Sequence, residues 1–176
     1  MNNQQQIQAD IESATNALEE TLVNCDDKHF NAKPEYGGWT AGQIIEHLFL
    51  VERIVNNQLG GVANATGRDV DQKIGMLKML FEDDTKQYDA PAEFLPTSDL
   101  KNKTELLEKL KAERKQLAVL ASQLDLTKTC LALKHPYFGA FTRYEWVYFI
   151  VIHSNRHLIQ LKKTLNGHRA YISHFQ

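Results

Sequence analysis

Apolar side chains recur at spacings of three and four along most of this chain, and that period predicts helices rather than strands. Ile7, Ile11, Ala14, Leu18 and Leu22 form one stripe, which predicts a first helix from Gln4 to Lys28. Pro34 and the pair Gly37-Gly38 then break the pattern. A second stripe, Ile44, Leu48, Val51, Ile54, Val55 and Leu59, begins just after a capping box: Thr40 as N-cap with Gln43 three residues on. Gly60-Gly61 ends it. A third stripe, Leu106, Leu107, Leu110, Leu117, Leu120 and Leu124, predicts a helix over Thr104–Leu124 with a charged opposite face. The fourth opens on another capping box, Thr142 with Glu145, and runs to Asn166, with Gly167 placed as its C′ residue.

Between these stripes, residues 60–102 hold a short helical stretch near Val70–Phe81 and a loop with Pro91 and Pro96. Residues Lys134–Gly139 read as a turn, and no β-alternation extends beyond a few positions. The pattern therefore predicts an all-α fold: one domain over residues 1–176, a four-helix bundle in which residues 60–102 replace a tight turn by a long crossover.

Composition changes this picture little. At 176 residues the chain can bury a core without disulfides or metal staples. Its formal charge of −2, with basic and acidic residues interleaved over 105–115, argues against nucleic-acid binding. Cys25 and Cys130 are too few and too far apart for a disulfide framework or a Cys-based zinc site, and read as plain small hydrophobes. The first residues lack the basic and apolar regions of a signal peptide, and no apolar run reaches the ~18 residues of a membrane span. A cytoplasmic protein without a membrane partner is the expectation.

The chemistry lies in three histidines. His153 and His157 are one helical turn apart, so both imidazoles point the same way from one helix face. Two nitrogens so placed can bind one metal ion at about 2.0–2.1 Å. His47 sits on the flank of the second stripe and is the best third ligand. Three histidines from two helices would leave one coordination position open, as catalytic metal sites do. A lone histidine on an apolar stripe is more often a core residue, and spacing by itself leaves both readings standing. His29, His135, His168 and His174 read as surface positions rather than ligands.

The combination Trp39-Thr40, Gln43, Glu46-His47-Leu48 and His153-x-x-Arg156-His157-x-x-Gln160 resembles the DinB-like (damage-inducible-B-like) superfamily of metal-binding helical proteins. The resemblance covers nearly the whole chain. It implies an up-down-down-up bundle and one divalent ion, nickel or zinc, held by His47, His153 and His157. It also implies transfer of a low-molecular-weight thiol to an electrophilic small molecule, or thiol-dependent isomerisation. An ion with an open position could instead lower the pKa of a bound water and act in metal-dependent hydrolysis, and a homodimer is a possible assembly. A bundle that merely holds metal or a partner, without turnover, is the non-enzymatic alternative.

Relatives often carry a carboxylate or another histidine within the fourth-helix motif, where this chain has Ser154, Asn155 and Arg156. Glu46 is turned about 100° from His47 around its helix. Glu52 and Glu145 reach the histidines only if packing brings them there. Hydrolysis usually wants such a proton acceptor, so its absence favours thiol transfer. Trp39 reads as a hydrophobic staple, Tyr148 and Phe149 as core or pocket wall, Arg156 as a partner of a neighbouring carboxylate, and Gln160 as either site lining or solvated.

Overall fold

A computed structural model describes residues 3–35, 37–83 and 88–173. Helix α1 spans Asn3–Leu22 and α2 spans Asp27–Asn31. The predicted single helix to Lys28 is thus divided. Asp26 causes the break: its carboxylate accepts from the His29 backbone N–H and caps a new helix. Helix α3, Ala41–Leu59, starts on the predicted box, with both Thr40–Gln43 hydrogen bonds present, and Gly60 caps its end. Helix α4 is Ile74–Glu82, and a 3-10 turn covers Ala92–Phe94. Helix α5, Lys103–Gln123, begins under Asn102, whose side chain accepts from Glu105 N–H. Helix α6, Arg143–Ser173, follows the second predicted box: Glu145 N–H donates to Thr142 Oγ1, and Thr142 N–H to the Glu145 carboxylate.

Two expectations fail here. Gly167 does not end the last helix, which continues to Ser173. A glycine inside a helix costs only about 1 kcal/mol relative to alanine, so it need not be a terminus. The fold is also not all-α. Strand β1 (Ala63–Asn64), β2 (Thr129–His135) and β3 (Gly139–Thr142) form an antiparallel sheet in the order β1-β2-β3. The segment expected to be a plain turn is a β2–β3 hairpin, with Gly139 at φ 66°. Its alternation is hidden because the register shifts between Thr129 and Lys134, so exposure along β2 does not follow period two.

The protein is therefore mostly helical with one small sheet. Helix α3 packs on both α5 and α6, α1 packs on the same two helices, and α4 lies along α6. One apolar cluster gathers Leu18, Leu22, Phe30, Ile44, Leu48 and Leu161, and another Ile7, Val51, Val55, Leu117, Phe141 and Ile150. The predicted stripes supply Leu18, Leu22, Ile44, Leu48, Ile7, Val51, Val55 and Leu117, while Phe30 comes from α2, Phe141 from β3, and Ile150 and Leu161 from α6. A polar exception is buried with them: Arg114 of α5 makes an ion pair with Glu52 of α3 at 2.9 Å and donates to Ser154 of α6 and Thr15 of α1. That cluster ties four helices together. Among the described residues no helix is long and apolar enough to cross a membrane.

Candidate metal centre

Packing of α3 against α6 brings His47, His153 and His157 together, all buried. His47 Nε2 lies 3.2 Å from His153 Nε2, which lies 3.1 Å from His157 Nε2. The ring centroids are 4.4–5.1 Å apart. Two of the rings are held from behind. His47 Nδ1 is 2.8 Å from the Phe94 carbonyl oxygen, and His157 Nδ1 is 2.8 Å from Gln160 Oε1. Both acceptors require Nδ1–H, which leaves Nε2 of each ring as a bare lone pair facing the third histidine.

This donor set fits a cation. A single proton on His153 Nε2 can satisfy one facing lone pair but not both. Ligand nitrogens at about 2.0–2.1 Å from one ion lie about 3–3.4 Å apart, the spacing of two of the three pairs here, and all three ligand atoms lie within 4.8 Å of one another. His153 Nδ1 has no hydrogen-bond partner among the described residues. Within those residues no Cys, Asp or Glu joins the three histidines, so they would leave any ion an open position.

Burial dominates the electrostatics. It holds His47 below the usual histidine pKa, against the opposing pull of the Phe94 carbonyl. It pushes His157 down to about 3, helped by His47. His153 is driven well below its ordinary value by burial and then by the neighbouring His157 and His47. The three rings are therefore neutral near pH 7, the state in which imidazole ligates metal.

The histidines open onto a cavity of about 770 Å³ whose walls include Trp39, Phe81, Phe94, Trp146 and Phe149. Phe149 stacks on His153 at 5.1 Å, and Phe81 meets it edge-on at 5.7 Å. Trp39 packs at 4.9 Å from His47 and 6.3 Å from His157, so it is wall of this site beyond any helix-capping role. Gln160 resolves to a lining residue that orients His157.

The carboxylates weighed from sequence are occupied elsewhere. Glu46 pairs with Lys101 at 2.8 Å and accepts from Thr97 N–H, Glu52 pairs with Arg114, and Glu145 pairs with Arg68 and accepts from Lys73 N–H. Arg156 donates to the backbone oxygens of Phe81 and Asp83 and covers the Tyr88 ring at 5.4 Å. Cys25 and Cys130 are buried, and burial pushes the Cys130 thiol up.

Of the histidines set aside as surface positions, His29 is partly exposed and bonded to Asp26. His174 lies outside the described residues, and His168 falls within α6. His135 departs from expectation. It ends β2, is buried among Phe138, Phe141, Trp146 and Phe149, and lines the same cavity. The hidden strand explains the miss, since a residue before Pro136 looks like loop. The Phe94 carbonyl could not have been foreseen either, because a backbone acceptor has no side-chain signature.

A mostly helical protein gathering three buried histidines from two helices is the class these features define. The chain belongs to the DinB superfamily, whose family description it matches over residues 10–161. It is 26% identical over 143 residues to the uncharacterized protein YuaE of Bacillus subtilis (strain 168), covering 81% of this chain and 86% of that one. No solved structure matches with significance.

Proposed function

We propose that His47, His153 and His157 hold one divalent ion, nickel or zinc, and that the protein transfers a small thiol to an electrophilic small molecule. The observation that carries this reading is the convergence of three Nε2 atoms, two with their lone pairs fixed by Phe94 and Gln160, at the wall of a largely apolar cavity. When bound, such an ion would supply a position at which a thiol is held as thiolate at neutral pH. The protein's own part is to keep the three rings neutral and oriented, and to exclude water with Trp39, Phe81 and Phe149. The same reading takes α1, α3, α5 and α6 as an up-down-down-up bundle with residues 60–102 as its crossover, supported by the packing of α3 and of α1 on both α5 and α6.

Hydrolysis is the second reading, and Asp89 is what favours it, as a carboxylate lining the cavity. The test begins with metal analysis of protein purified without a histidine tag, for which one equivalent of ion is expected. The loaded protein should then accelerate conjugation of cysteine with monobromobimane, and His153→Ala should remove both the ion and the acceleration. Asp89→Asn should leave conjugation unchanged. Absence of bound ion, or equal rates for wild type and His153→Ala, refutes the proposal. Ester hydrolysis lost in Asp89→Asn would favour the hydrolase instead, and an ion without either turnover would favour the non-enzymatic alternative.

A further inference from the structure

Large exposed apolar side chains converge on the cavity rim from three separate segments. Leu95 of the crossover, Tyr137 of the hairpin turn and Ile159 of α6 all line the cavity, yet are 48%, 61% and 41% exposed. Such side chains scattered singly need no explanation, but a group of them around one opening marks a site of contact. From this rim a row of rings leads inward. Tyr137 lies 6.1 Å from Tyr88, Tyr88 lies 6.5 Å from Phe81, and Phe81 lies 5.7 Å from the His153 ring. Aromatic surface thus runs from the rim to the three-histidine group.

Size and charge narrow the occupant. A volume of about 770 Å³ falls in the upper part of the range, roughly 300–1,000 Å³, of sites for drug-sized ligands. A thiol of amino-acid size leaves most of it unfilled, and its polar groups gain little from aromatic walls. The charged wall residues do not select for an ion. Asp89, Lys134 and Lys163 are exposed to water, and Arg156 is engaged by the Phe81 and Asp83 carbonyls. Pairing with charges that remain in water adds little. Neutral planar rings gain most, by burying apolar area and by stacking or edge contact with the row.

We infer that the thiol's acceptor is a neutral molecule with a fused-ring aromatic body, which lies along Tyr137, Tyr88 and Phe81 with its reactive carbon towards His153. In the transfer, sulfur bonds to that carbon, the thiol proton goes to solvent, and a leaving group such as bromide takes the bonding pair. The inference rests on reading this cavity as the site of thiol transfer, and it names the class of electrophile.

Binding is measured first, on full-length protein freed of metal by chelation, so that no reaction intervenes. Calorimetry should show 2-naphthalenemethanol binding at one site per chain, about tenfold more tightly than benzyl alcohol. Leu95→Asp/Ile159→Asp should weaken that binding about tenfold or more, whereas Val23→Asp, exposed but away from the cavity, should leave it unchanged. All three positions are exposed, so the fold tolerates these changes. With metal restored, 2-naphthalenemethanol should inhibit conjugation competitively against monobromobimane and not against cysteine. Absence of binding, equal affinity for the two alcohols, equal weakening by Val23→Asp, or competition against cysteine alone overturns the inference. So does a dimer that Leu95→Asp/Ile159→Asp dissociates, since a second copy then covers the rim. Specific naphthyl binding by protein that takes up no metal would sink the metal reading and leave the aromatic ligand class standing.

Discussion

His157 shows how much a single side chain depends on its support. Gln160, one turn along α6, accepts from Nδ1 at 2.8 Å and so presents Nε2 to the site. Removing such an acceptor typically lowers metal affinity 10–100-fold. Gln160→Leu should therefore weaken nickel or zinc binding by about that factor in a competition titration with a chromophoric chelator, with the metal-free melting temperature almost unchanged. An unaltered affinity would mean that Gln160 does not set the tautomer. His153→Ala is the harsher change. Metal at a hundred times Kd adds about 2.7 kcal/mol to native stability. Thermal melts at pH 7.5 should show that gain in wild type and lose it in His153→Ala, and an equal gain in both would place the binding elsewhere.

At the scale of elements, the termini and crossings of α3 and α6 decide whether the three rings meet. Both helices start on capping boxes, and losing a Ser or Thr cap costs about 0.5–2 kcal/mol. Thr142→Ala should sit at the upper end, because Thr142 Oγ1 also donates to the Val70 carbonyl at 2.6 Å. The Glu52–Arg114–Ser154 cluster pins α3, α5 and α6 from within the core. Breaking a buried ion pair from one side costs about 3–5 kcal/mol, since the remaining charge is stranded. Arg114→Leu should lower urea-unfolding stability by that order, and Glu52→Leu/Arg114→Leu together should recover much of it. A double variant as unstable as the sum of the single ones would show that the two side chains act independently and that no stranded charge explains the loss.

For the whole molecule, the buried histidines make stability a function of pH. Histidine in an unfolded chain has a pKa of about 6.5. In the native state His47 and His153 are lowered, His135 lies at about 4 and His157 at about 3. Above pH 6.5 neither state is protonated at these rings, and the full stability is present. Below it the unfolded chain takes up protons that the native state refuses. Each such ring then costs about 1.4 kcal/mol per pH unit, until pH reaches its native value. The metal-free protein should hold its urea midpoint between pH 7 and 8 and lose it steeply from pH 6.5 to 5, and His157→Gln should flatten that fall. An unchanged slope in His157→Gln would show that this ring is not buried neutral. Added metal should stabilise strongly at pH 7.5 and far less at pH 5, because ligation competes with protons.

The helical stripes, both capping boxes and the three histidines were legible along the chain because each is local: a period, a cap spacing and an i, i+4 pair lie within one or two turns. The split at Asp26 and the helix beyond Gly167 were misread, because a capping carboxylate and a glycine each permit two outcomes that neighbouring packing resolves. The sheet was invisible because β1 has two residues and the register shift in β2 erases the alternation that betrays a strand. What only the tertiary structure decided is what touches the histidines. The Phe94 carbonyl, the occupied carboxylates of Glu46, Glu52 and Glu145, and the entry of His135 into the cavity all depend on crossings between distant segments. Local periodicity sets which face of a helix turns inward. Which atoms that face then meets depends on how the elements pack, and no short stretch of sequence encodes it.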